Sequence, residues 1–226
     1  GSRLHLTLTQ LKARPILAAC ANGSSELMSN ISMSLVSMLY NVQLMKFAGE
    51  DGVAAYGVLM YVNMIFLAAF IGYSVGTAPV IGYNYGAKNS AELKNMFKKS
   101  LIIIATLSAA MFASAELFAV PLSKIFVGYD SALLEITKRG FIIYSFSFLF
   151  AGIAIYGSAF FTALNNGLVS ALISFLRTLV LQVAAVLLLP AVWGVDGIWL
   201  SIVAAELLAA VITFCFLAAK RNKYQY

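Results

Sequence analysis

The chain has 226 residues, of which 62% are hydrophobic and 11% charged, with a mean hydropathy of +0.90. A soluble domain carries about 25% charged residues, so too few are present here to make a polar shell, and lipid is the expected solvent for most of the surface. The net charge of +6 sits mainly at the ends of apolar runs. That placement excludes a nucleic-acid interface and reads as topology signal beside an anionic membrane surface.

Gly1-Ser2 reads as an expression scar, and the apolar run that opens near Pro15 is too long for a cleavable signal peptide. Residues 1–17 are expected to be scar plus a cytoplasmic N-terminal segment. Residues 18–219 are expected to form a six-helix transmembrane lobe, and 220–226 a basic cytoplasmic tail. A hydrocarbon core needs about 20 apolar residues per helix. On that measure the spans run from about Ala21 to Lys46, Val53 to Tyr83, Ser100 to Val120, Gly140 to Leu164, Val169 to Pro190 and Gly197 to Ala219. The separators carry ordinary breakers, such as Ala48-Gly49-Glu50-Asp51-Gly52, Asn165-Asn166-Gly167 and Trp193-Gly194-Val195-Asp196. The fold class is therefore all-α, a polytopic membrane bundle.

With the N-terminus in the cytoplasm, ten Lys and Arg residues fall inside and four outside (Lys46, Lys124, Lys138 and Arg139). The positive-inside rule then puts both termini in the cytoplasm. The acidic residues agree, with Glu50, Asp51, Glu116, Asp130, Glu135 and Asp196 all placed at or beyond the outer face. Between the second and third spans, Ala91 to Lys99 reads as a short amphipathic helix on the cytoplasmic face, a basic topology anchor with lipid recognition as the alternative. The phenylalanines and tyrosines read as ordinary lipid-facing and interfacial residues.

Ionisable residues inside a membrane are costly and mark function; here they are Glu26, Arg177 and Glu206. At about 100° per residue, Glu26, Asn30, Ser34, Ser37 and Asn41 share one face of the first span. Facing lipid, that stripe would leave hydrogen-bonding groups unpartnered. It is expected to face the bundle interior or a water-filled cavity, with Glu26 binding a cation or proton. The serines and asparagines are cavity-lining candidates that also serve as helix-packing glue. Arg177 and Glu206 lie at similar depths in the fifth and sixth spans, which suggests a structural ion pair, with Arg177–Glu26 as the alternative. Pro79 in the second span can kink its helix. No metal-ligand cluster, nucleophile–base constellation or phosphate-cradling loop appears, and His5 is the lone histidine. The chain reads as a non-enzyme without a cofactor.

Two stretches carry a family resemblance: Gly49-Glu50-Asp51-Gly52-Val53-Ala54-Ala55-Tyr56-Gly57, and Pro79 followed by Gly82-Tyr83-Asn84-Tyr85-Gly86-Ala87-Lys88-Asn89. Together they resemble the multidrug and toxic compound extrusion (MATE) family over nearly the whole chain after about Ala18. The resemblance implies one six-helix lobe of a twelve-helix antiporter, helices seven to twelve. It implies export of small amphipathic or cationic substrates from the cell, across the inner or plasma membrane, against an inward flow of H+ or Na+. The partner would be a missing N-terminal lobe or a second copy of the chain. Glu26 matches the family's acidic residue early in the seventh helix, whereas the tenth helix, about Gly140 to Leu164, lacks the acid of the sodium-coupled pattern. The alternatives are a lobe of a lipid-linked saccharide flippase and a non-transporting membrane scaffold subunit.

Overall fold

The computed structural model describes residues 13–226, apart from the side chains at positions 15, 21, 22, 24–26, 28 and 29. Of the expected N-terminal segment, residues 1–12 with Gly1-Ser2, Arg3, His5 and Lys12 lie outside the described residues, as does the side chain of Glu26, while residues 13–17 are helical at the start of the first element. Every element among those described is helical: α1 (Ala13–Gly86), α2 (Ser90–Val127), α3 (Ser131–Ser145), α4 (Phe148–Ala163), α5 (Gly167–Phe175), a π-helical segment (Leu176–Val180), α6 (Leu181–Leu188) and α7 (Pro190–Tyr224).

Length and composition pick out four helices able to cross a membrane, or five when the bent pair α3 and α4 counts as one span. The sixth is hidden inside α1. Its 74 residues would make a straight rod about 111 Å long, but Gly49 takes φ 65°, ψ −154°, a region open almost only to glycine. The chain folds back there. Tyr40 and Tyr56 would be about 24 Å apart on a continuous helix, yet their rings stack with centroids 5.5 Å apart and planes within 3°. Gly194, at φ 56°, ψ −132°, likewise breaks α7 four residues after its start. The six spans are therefore residues 13–48, 50–86, α2, α3 with α4, α5 through α6, and 195–224.

Two core layers stack along the bundle. One, toward the Gly49 end, gathers Tyr40, Leu44, Leu59, Phe141, Ile198 and Trp199. The other, toward the C-terminal end, gathers Phe70, Ile81, Ile104, Phe160, Phe161 and Tyr224. The span ends are capped as their sequences dictate: Asp130 Oδ1 accepts the Ala132 N–H at 2.8 Å at the start of α3, and Asn89 accepts the Glu92 N–H at the start of α2.

Two expectations change, for Ala91 to Lys99 and for Glu116. Ala91 to Lys99 is not a separate amphipathic helix but the first turns of α2, which runs from Ser90 to Val127 and accommodates Pro121 near its end. The same continuity carries α2 seven residues past Val120, so Glu116 lies within a helical span and not at its end. Pro79 is absorbed in α1, where Gly49 is the residue with non-helical angles. The basic tail stays helical to Tyr224, and Tyr226 folds onto Phe97 and Phe160, its hydroxyl donating to the Leu217 carbonyl at 2.8 Å.

Candidate functional site

The polar centre of the lobe is built on a defect. Residues 176–180 wind as a π-helix, with the Leu181 N–H donating to the Leu176 carbonyl. Such one-turn bulges insert a residue and re-aim the side chains around them. Here the bulge carries Arg177, whose Nε donates to Glu206 Oε2 of α7 at 2.8 Å. The side chains are only 15% and 7% exposed. A guanidinium–carboxylate pair at this depth is stable only while both charges are present, because each satisfies the other's desolvation cost.

Buried Tyr40 and Tyr144 lie near the pair, and buried Tyr56 stacks on Tyr40. Tyr144 lies within electrostatic reach of both Glu206 and Arg177, and Tyr40 of Glu206. The Tyr40 hydroxyl donates to Gln182 Oε1 at 2.7 Å, two residues beyond the bulge, and Gln43 Nε2 donates to the Val186 carbonyl at 3.2 Å. The first limb of α1 is thereby stitched to the segment that carries Arg177. These tyrosines correct the view of the aromatics as lipid-facing. Tyr61, Tyr83 and Tyr129 are exposed, but the hairpin at Gly49 turns Tyr40 and Tyr56 inward.

The expected stripe on the first span divides. Asn30 and Ser34 are exposed, and the Ser34 hydroxyl reaches the Asn30 carbonyl at 3.5 Å. Ser37 and Asn41 are half-buried, with Asn41 Nδ2 donating to the Ser37 carbonyl at 2.9 Å. The stripe thus runs from an open surface of the lobe to the edge of its packed face, which is formed by Ser32, Val36, Tyr40 and Leu44. Glu26 is on the same limb of α1, its side chain outside the described residues.

A second carboxylate escaped the sequence reading. Glu116, half-buried in α2, accepts a hydrogen bond from the Ser145 hydroxyl at the end of α3. Its signal in sequence was its isolation, since it is the one charged residue between Lys99 and Lys124. Elsewhere, serine and threonine hydroxyls tie α4 to α5: Ser158 meets Ser170 at 2.9 Å and Ser174 at 2.8 Å, and Thr162 meets Ser170 at 2.6 Å. A recess of about 300 Å³ lies at the Gly194 end, between Trp193, Trp199 and the Arg139–Asp196 ion pair. Among the described residues no group of His, Cys, Asp or Glu is arranged to hold a metal ion, and Cys20 and Cys215 are free and exposed.

A family model described as MatE matches residues 27–188. Among solved structures, the chain is similar to an outward-facing multidrug resistance MATE family transporter of the MOP superfamily, at 22% identity and TM-score 0.88, over 99% of this chain and 51% of that one. It is similar to a MATE protein in complex with MaL6, at 22% identity and TM-score 0.87, over 96% and 49%. It is also similar to a MOP superfamily transporter from Pyrococcus furiosus described as having a binding pocket of reversed polarity that suggests a different function, at 23% identity and TM-score 0.86, over 96% and 49%. At these identities the likeness is one of fold. The chain spans about half the length of the structures it matches. No curated protein matches it.

Proposed function

The chain belongs to the MatE family, and from that premise we propose that it forms one lobe of a secondary-active exporter of small cationic, amphipathic compounds, driven by a proton or sodium gradient. The observation that carries the reading is the divided stripe of α1. Asn30 and Ser34 are exposed on one face of an otherwise apolar lobe, a placement that suits a water-filled cavity facing a second lobe. In two-repeat transporters substrate binds at such an interface, and one repeat rocks against the other. Glu26, on the same limb, is the proposed site where the coupling cation or proton enters. The Lys and Arg distribution supports a cytoplasmic side for both termini in this reading.

The flippase alternative requires free positive charge to hold a pyrophosphate, whereas Arg177, the cation deep in the bundle, is spent on Glu206. The scaffold alternative requires the polar stripe to be packed away, whereas its outer half is exposed. The test is Glu26→Gln in the intact transporter, expressed in drug-sensitive cells. Loss of drug resistance with normal membrane expression is expected; resistance equal to the parent protein's would remove Glu26 from the mechanism.

A further inference from the structure

The span formed by α3 and α4 is broken. The two helices meet at 51° around Phe146 and Ser147, and the Phe146 N–H turns to the Tyr144 carbonyl. The Ile142 carbonyl is held instead by the Ser145 hydroxyl, at 2.8 Å. That hydroxyl is also hydrogen-bonded to Glu116 Oε1 of α2. The Phe112 ring, one turn before Glu116, packs on the ring of Phe146 at the break, with centroids 4.9 Å apart. One face of α2 therefore lies along the bend.

A serine hydroxyl has a single proton to give, but Ser145 has two acceptors in reach. When Glu116 is ionised it can only accept, so the Ser145 proton goes to the carboxylate and the Ile142 carbonyl loses its donor. When Glu116 is protonated it donates to Ser145 Oγ, and the Ser145 proton is free for Ile142. The geometry points to a proton-binding site at Glu116 that sets the tightness of the bend between α3 and α4 through Ser145. A proton arriving at the carboxylate oxygen restores the Ile142 bond, and its departure releases it. No other species is consumed.

The surroundings isolate this switch. Glu116 lies about 12 Å along the helix from Lys124, the nearest charge on its own element. The helices packed against α2 are α1, α3 and α4. Helix α4 has no charged residue, and α1 has none from 53 to 83, its Lys46, Glu50 and Asp51 lying at the hairpin end. Helix α3 brings Lys138, 4.0 Å from Glu135, and Arg139, paired with Asp196. Tyr144, beside Ser145, is within reach of Arg177 and Glu206. The last turn of α3 thus carries both Ser145, bonded to Glu116, and Tyr144, within reach of the Arg177–Glu206 pair.

The use of this site in transport rests on the exporter reading, but its test does not. Hydrogen exchange of the amides from 142 to 149 is followed from about pH 3 to pH 8, on both sides of the ordinary carboxyl range, in the full protein in nanodiscs and after correction for intrinsic exchange. The carboxyl band near Glu116 is followed by infrared difference spectroscopy. The parent protein is expected to lose protection at least threefold as pH rises. E116Q stays protected at every pH and lacks the titrating band. S145A keeps the band but loses the pH dependence of exchange, and S145T restores it. A pH-independent bend in the parent protein, or a parent-like pH profile in folded E116Q or S145A, would overturn the proposal, whatever a transport assay gives.

Discussion

Arg177 and Glu206 are joined by a 2.8 Å hydrogen bond, and the arginine that makes it sits in a π-helical turn of the fifth span. The pair is therefore a marker of how the fifth and sixth spans are locked to each other, and its energetics can be measured.

Removing one member leaves an unpaired buried charge, at a cost of about 3–5 kcal/mol. R177M and E206M should each be destabilised to that degree, whereas R177M/E206M should lose far less than the two combined. Unfolding by steric trapping in bicelles gives all four corners of the cycle. Simple additivity would mean that the contact contributes nothing in the membrane.

The hairpin at Gly49 depends on a backbone conformation that side chains with a Cβ avoid. G49A should lose about 1–3 kcal/mol, while G57A, on a helical stretch with open space around it, should be neutral or gain about 0.5–1 kcal/mol. Thermal denaturation of the two variants side by side checks this. Equal effects would place the fold-back elsewhere.

Much of this architecture was legible from hydropathy and breakers. All six spans were, because each needs about 20 apolar residues and the loops between them are rich in Gly, Asn and Asp. The Arg177–Glu206 pair, one of the two pairings the sequence offered for Arg177, was also readable, and it forms. What hydropathy could not give was the other partnerships across the bundle. Tyr40 and Tyr56 resemble any interfacial tyrosines until the hairpin stacks them. Glu116 looked terminal because the apolar run fades near Val120, although the helix continues to Val127. The docking of Tyr226 on Phe97 and Phe160 joins residues far apart in sequence, and no local pattern encodes it.

Burial pushes the Tyr226 phenol above its ordinary value. A group whose folded pKa is raised contributes stability fully present below its unfolded pKa of about 10 and lost as pH climbs through the folded one. The stability difference between the parent protein and Y226F should thus be constant near neutral pH, at about 0.5–1.5 kcal/mol for the lost hydrogen bond, and should shrink above about pH 10. Melting curves taken from neutral to alkaline pH decide it; a difference that grows with pH would contradict the sign.

If the outer half of the α1 stripe faces water, hydrophilic thiol reagents should modify N30C and S34C in membranes, in a background lacking Cys20 and Cys215. S32C, at a buried position, should stay unmodified. Cationic substrate should slow the reaction at position 34. Failure of both exposed sites to react would place that face in lipid.

The most direct test of the exporter reading is flux. The purified intact transporter, in proteoliposomes, is given an imposed proton or sodium gradient, and movement of a fluorescent cationic dye is followed against the gradient-free control. Gradient-driven dye movement, lost in E26Q and retained in R177M/E206M refolded to equal amounts, is the predicted result. Dye movement that ignores both gradients, or that persists unchanged in E26Q, would contradict it.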